Sequence, residues 1–153
     1  MTRRSRSEAA VAGPLVRPFE DRDLDAVVAL WRASNLIVHY NDPAEDIAFC
    51  RASANAELFV GEDDGAVVAT AMAGHDGHRG WLYYVASDPA RRGDGLGRAM
   101  VDHAEAWLAG LGVRKVNLII RDTNTGVQEF YERLGYQTEP RVVMARWLID
   151  DPR

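Results

Sequence analysis

At 153 residues, with 47% hydrophobic and 27% charged side chains, the chain has the length and balance of one globular domain. A net charge of −5 argues against a nucleic-acid partner, and the single cysteine, Cys50, leaves no disulfide framework or cysteine zinc site within the chain. No apolar run approaches membrane-spanning length, and no apolar core follows the arginines of the opening M-T-R-R-S-R-S, so a secretory signal is not expected. The expectations are a flexible tail over residues 1–13, one domain over 14–153, no membrane partner and a cytoplasmic location.

Leu15–Phe19 reads as a first strand. Asp21 then caps a helix whose apolar residues Leu24, Val27, Val28 and Trp31 share one face. A second helix starts at N-D-P-A-E-D-I, with Asp42 as N-cap, Pro43 at the first helical position and Glu45 placed as in a capping box. Strands at Glu57–Glu62 and Ala66–Ala73 are joined by a turn at D-D-G, and the loop H-D-G-H-R-G leads into a strand over Trp81–Ser87. Leu96, Met100, Ala104 and Leu108 mark an amphipathic helix that ends at Gly110 and Gly112. Val116–Ile120 reads as a strand, and Val127, Phe130, Tyr131 and Leu134 outline a short helix that stops at Gly135. V-V-M-A-R-W-L reads as a closing strand. The order is a mixed α/β arrangement in one domain.

The stretch R-R-G-D-G-L-G, Arg91–Gly97, places three alternate glycines between a strand and a helix. Backbone N–H groups at a helix start are unpaired and carry partial positive charge, and glycine lets an anion approach them. A P-loop needs a lysine and a hydroxyl after its last glycine, but Arg98 and Ala99 follow Gly97. A dinucleotide fingerprint needs a third small residue, and the two registers put Arg98 or Met100 there, although Asp122 stands where a ribose-binding acid would. A simple tight turn is the remaining alternative.

Arg92, Gly95 and Gly97 also fill the register R-x-x-G-x-G. With V-A-S-D-P-A-R-R-G-D-G-L-G-R-A-M around it and R-D-T-N…F-Y-E-R-L-G-Y downstream, the chain from Leu15 onward resembles the GNAT superfamily of N-acetyltransferases, in particular small bacterial members. The resemblance implies an α/β (α+β) fold: a mixed, mostly antiparallel sheet of about seven strands, flanked by four helices and splayed between strands 4 and 5. It implies acetyl-CoA as co-substrate and no metal. Its pyrophosphate would lie on Arg91, Arg92, Gly93, Asp94, Gly95, Leu96 and Gly97. Its pantetheine would lie along Val85, Ala86 and Ser87, near Asn124, which is also an N-cap candidate. Asp94 departs from the basic residue common there and is expected to turn to solvent. A small-molecule or peptide amine acceptor and a homodimer fit the same reading.

A lysine-like ammonium has a pKa near 10.4, so deprotonating it at pH 7 costs roughly 4.6 kcal/mol and calls for a base. Tyr131 stands at the family's recurrent tyrosine and is the candidate acid. No acid occurs in W-L-Y-Y-V-A-S or V-N-L-I-I, so His75, Asp76, His78 and Asp42 remain as candidate bases. Trp31, His39, Tyr40, Asn41 and Asp42 are expected to line the acceptor's approach, together with His78 and whichever of Tyr83 and Tyr84 faces the cleft. A non-catalytic acyl-CoA-binding module on the same fold, or a nicotinamide-linked oxidoreductase, are the alternative functions.

Overall fold

A computed structural model describes residues 13–152. The segment expected to be a flexible tail, residues 1–13, lies outside them except for Gly13. The described residues form one five-stranded sheet in the order β1-β2-β3-β4-β5. The strands are β1 (Leu15–Pro18), β2 (Ala56–Asp63), β3 (Ala66–His75), β4 (Gly80–Ser87) and β5 (Val116–Asn117). The first four pair antiparallel, and β5 joins β4 in parallel. The helices are α1 (Leu24–Ala33), α2 (Pro43–Ala52), α3 (Leu96–Gly110) and α4 (Thr125–Arg133).

Local chemistry accounts for most of these boundaries. The β2–β3 turn puts Asp64 and Gly65 at φ +50° and +78°, the primed geometry that matches strand twist. The Asp42 carboxylate accepts the N–H groups of Ala44 and Glu45 at 2.8 and 3.1 Å, as an N-cap does. The chain first makes a 3-10 turn at Asp21–Asp23, capped by Glu20, so the N-cap of α1 falls on Asp23 rather than Asp21. Asp23 is buried there and is held by a bidentate contact from Arg17.

Period-two alternation along the sheet sorts its side chains into two cores. Leu58, Val60 and Ala86 face Val27, Leu30 and Trp31 of α1 and Ile47 of α2. Phe59, Ala71 and Leu82 face Met100, Ala104 and Leu108 of α3 and Tyr131 of α4. The sheet is therefore covered by helices on both sides.

Two expectations need correction. Five strands form rather than seven, and no long splayed pair of strands 4 and 5 is present, because β5 pairs only at Gly80–Val116 and Trp81–Asn117. The segment expected to close the sheet, Val142–Leu148, belongs to no strand. A strand exists only where a neighbour shares its hydrogen bonds, and among the described residues none does so for that segment.

Candidate active site

Two features flank the end of β4. The first is the glycine loop. After one 3-10 turn at Pro89–Arg91, capped by Asp88, the chain enters α3 through Gly93 and Gly95. Their φ values are +88° and +75°, and no atom lies within 4 Å of a Cβ built at either position. The loop thus needs glycine for its backbone and leaves open space before the helix N–H groups. Gly97 differs. It is helical, and a Cβ there would stand 3.1 Å from Phe130 Cζ. Its small size admits α4.

The charges are arranged differently from expectation. Arg91 donates to Asp63 at 2.5 Å and to Asp94 at 3.0 Å, and both carboxylates raise its pKa. Asp94 is half exposed and pairs with Arg91 rather than simply facing solvent. Arg92 is the exposed arginine beside the two open glycines. The Leu96 side chain is 4% exposed and packs in the core, so only its backbone faces the loop.

The second feature is a β-bulge. Pairing runs Thr70↔Ala86 and then Met72↔Tyr83, so β4 carries an extra residue. Tyr84 sits there at φ +49°, uncommon for a bulky side chain. Several contacts hold it. The Thr70 hydroxyl donates to the Tyr84 carbonyl at 2.8 Å and accepts from Trp31 Nε1 at 2.9 Å. The Trp31 and Tyr84 rings stack with centroids 3.8 Å apart. The Tyr84 hydroxyl donates to Asp46 Oδ2 at 2.5 Å. Burial and the Asp46 carboxylate push the Tyr84 phenol well above its usual pKa.

The bulge breaks the alternation of β4, so both Tyr83 and Tyr84 reach one cavity of about 690 Å³. Tyr40, Asn41, Asp46, His75 and Asp76 also line it. Asp76 accepts the N–H groups of His78 and Arg79 through one oxygen and Trp81 Nε1 through the other. These bonds pull its pKa down to about 2. His75 Nδ1 accepts the Gly77 N–H at 3.1 Å.

Four of the residues expected at the acceptor do not line this cavity. His39 is exposed and lies edge-on to Tyr40 at 5.1 Å. Trp31 is 0% exposed, so it supports Tyr84 from behind and does not line the cavity. Asp42 is spent on capping α2 and borders a different, smaller depression between α1 and α2. His78 projects from the exposed turn and is not among the lining residues. Asp46 was not singled out from the sequence, because its partner lies 38 residues away and no spacing marks the pair.

Tyr131, the candidate acid, is a core side chain beside Phe130. Tyr131 is 7% exposed and anchors α4, its ring edge-on to Phe130 and Tyr136 at 5.0 and 5.4 Å. Phe130 is half-buried against Gly97. Burial pushes the Tyr131 phenol up to about 12. Asn124 caps α4 by accepting the Val127 N–H at 3.3 Å.

The comparisons with known proteins agree with this architecture. Residues 24–136 match the family described as acetyltransferase (GNAT) family. An acetyltransferase of Yersinia enterocolitica is 36% identical over 137 residues, 89% of this chain and 96% of that protein. An acetyltransferase of Pectobacterium atrosepticum shows the same identity and coverage. Among solved structures, a putative acetyltransferase from Agrobacterium tumefaciens superposes with TM-score 0.72 at 26% identity, covering 87% of this chain and 99% of that one. AAC(6')-Iy in complex with the bisubstrate analogue CoA-S-monomethyl-acetylneamine shares the fold, with TM-score 0.74 at 19% identity over 88% and 97% of the two chains. Sequence, element order and fold converge, and the chain belongs to the acetyltransferase (GNAT) family.

Proposed function

We propose that the protein transfers an acetyl group from acetyl-CoA to a primary amine by direct attack of the amine on the thioester. One observation carries this reading. The Tyr84 bulge immediately precedes Val85–Ser87, and the open positive-φ glycines Gly93 and Gly95 follow that stretch after one 3-10 turn. The residues present suit coenzyme A. Unpaired N–H groups at the start of α3, with Arg92 beside them, meet a pyrophosphate, while Arg91 holds the loop through Asp63 and Asp94. Val85–Ser87 and Asn124 would border the pantetheine arm.

Acetyl-CoA, when bound, supplies an activated acyl group. The protein's own residues do the rest. Tyr40, Tyr83 and Tyr84 with Asp46 and Asp76 form an aromatic, acidic cavity that suits a cationic amine. Tyr84 stays protonated at neutral pH, so it orients the Asp46 carboxylate and is not itself a base. Asp46 or His75 takes the amine's proton through water. Tyr131 also stays protonated, and its hydroxyl proton passes to the sulfur as the C–S bond breaks.

A thiol-release screen with acetyl-CoA over alkylamines, polyamines, aminoglycosides and amino-terminal peptides tests the reading. The AAC(6')-Iy complex makes aminoglycosides a sensible first arm. Amine-dependent release is expected. Acetyl-CoA binding without turnover on any amine would instead fit an acyl-CoA-binding module.

A further inference from the structure

We propose that the acceptor is an α-amino acid with an apolar side chain, its amine drawn by Asp46 and its carboxylate held by Arg121. This rests on the acetyl-transfer reading above and narrows its acceptor.

Asp46, Asp76 and Arg121 are the carboxylates and the arginine that line the cavity. Asp76 is committed to the protein itself. One of its oxygens takes the N–H groups of His78 and Arg79, and the other takes Trp81 Nε1. Asp46 is only half committed. Its Oδ2 accepts the Tyr84 hydroxyl at 2.5 Å, and its Oδ1 has no hydrogen-bond partner among the described residues. Arg121 is exposed, and no acceptor among the described residues takes its guanidinium. The cavity thus offers one free carboxylate oxygen and one free cation.

The fold puts both beside the bulge. β5 runs parallel to β4, with Gly80 level with Val116 and Trp81 level with Asn117. Counting on in that register brings Arg121 level with Val85, the residue after Tyr84. Asp46 reaches the same place from α2, on the Tyr84 hydroxyl. Both charges therefore border the end of the cavity next to Val85–Ser87, where the thioester of the proposed reaction would lie.

An acceptor that meets both must carry its anion close to the reacting nitrogen. An α-amino acid does so, with one carbon between the two groups. The planar guanidinium fork matches a carboxylate and can hold it through two parallel hydrogen bonds. A polyamine or an aminoglycoside would instead bring further ammonium groups toward Arg121, a like-charge contact that selects against it. Away from the bulge the wall is largely apolar, with Leu36, Val38, Met72 and Phe49, the last 84% exposed. Such a wall favours an apolar side chain on the acceptor. The volume of about 690 Å³ falls in the range of small-molecule sites.

The chemistry balances. The acceptor's ammonium first gives up a proton by the route described above. Its nitrogen then bonds to the acetyl carbon while the C–S bond breaks, and the bonding pair leaves with sulfur. The nitrogen sheds a second proton and the sulfur gains one. The products are an N-acetylamino acid and free coenzyme A.

Thiol release from acetyl-CoA over matched acceptors tests this. Leucine, methionine and phenylalanine are each compared with the corresponding amide and with the decarboxylated amine, and spermidine serves as a polycation. The amide's amine is less basic than the acid's, so intrinsic reactivity at neutral pH favours the amide. The expected result reverses that order. At least one amino acid should exceed its amide and its decarboxylated amine at least tenfold in kcat/KM, with spermidine slower still. Arg121→Gln should raise the KM for that amino acid at least tenfold and leave the decarboxylated amine within about twofold. Equal or better turnover of the amides, the plain amines or spermidine overturns the proposal and leaves acetyl transfer standing. A carboxylate preference that survives in Arg121→Gln overturns it equally. Release with no amine, from protein that binds acetyl-CoA, removes the acetyl-transfer reading and this inference with it. The matched comparison on the unaltered chain decides even if the variant does not fold.

Discussion

The glycine loop that follows Val85–Ser87 and the tyrosine-lined cavity at the bulge before it are built by opposite means. The loop is local. Gly93 and Gly95 reach positive φ because they lack a side chain, and helix α3 follows within one residue. The cavity is non-local. Tyr84 reaches positive φ despite its side chain, and Thr70, Trp31 and Asp46 hold it from three other elements. A bulge of this kind stores strain that its surroundings must offset. The loop therefore tolerates distant change and fails on its own substitution, whereas the cavity is open to damage from behind.

Tyr131, buried in the core beside α3 and given the part of acid in the proposed reaction, is expected to show the largest effect. General-acid assistance is worth about 10²–10⁴-fold, so Tyr131→Phe should lower kcat within that range. Acetyl-CoA affinity should move by less than about 1 kcal/mol. A folded variant with nearly wild-type turnover, where chemistry is rate-limiting, would remove the assignment. A loss of stability in place of rate would leave Tyr131 as the α4 anchor alone.

Within the loop the glycines should separate. Gly95→Val places a branched side chain where space is open and φ is +75°. It should weaken acetyl-CoA binding at least tenfold, since each charge-assisted hydrogen bond lost costs about 1.5–3 kcal/mol. Gly97→Ala should leave that affinity nearly intact and lower the melting temperature, because its Cβ presses on Phe130. Calorimetry and thermal melts on both variants check the contrast, and equal loss of affinity in the two would break it.

The cavity should fail from its rear. Thr70→Val keeps the shape but removes the hydroxyl between Trp31 Nε1 and the Tyr84 carbonyl. An unpaired buried donor costs about 1–3 kcal/mol, so unfolding by urea should come earlier. The KM for the amine should rise while acetyl-CoA affinity holds. An unchanged KM would show that the bulge does not shape the acceptor side.

These two regions also divide what was legible in the sequence. The D-D-G turn, the Asp42-Pro43 helix start and the glycines before α3 depend on residues adjacent in the chain, and each formed where its local chemistry placed it. The bulge did not show, because two tyrosines on a strand read as ordinary alternation. What bends them is a threonine 14 residues away and an aspartate 38 residues away. Trp31 read equally as core or cavity, and its complete burial with a hydrogen bond to Thr70 decides between them. Val142–Leu148 has the composition of a strand, but a strand also needs a neighbour to pair with, and no described residue pairs with it.

The smallest effect concerns the cavity's outer turn. Asp76 has a folded pKa of about 2, below its unfolded value of 3.8. Its contribution is therefore fully present above the unfolded value and is lost as pH falls toward 2. Trp81, which donates to Asp76, should report this as a fluorescence change over that window that is missing in Asp76→Asn. An identical acid titration in the variant would contradict it.

The central claim is that cofactor and acceptor meet across Val85–Ser87. Titrating acetyl-CoA into the isotope-labelled protein and following backbone amide shifts tests it most directly. The account predicts the largest shifts at Gly93, Gly95, Leu96 and Val85–Ser87, with smaller ones at Tyr83 and Tyr84. Shifts centred instead between α1 and α2, around Arg32 and Asp42, with the glycine loop unmoved, would contradict it.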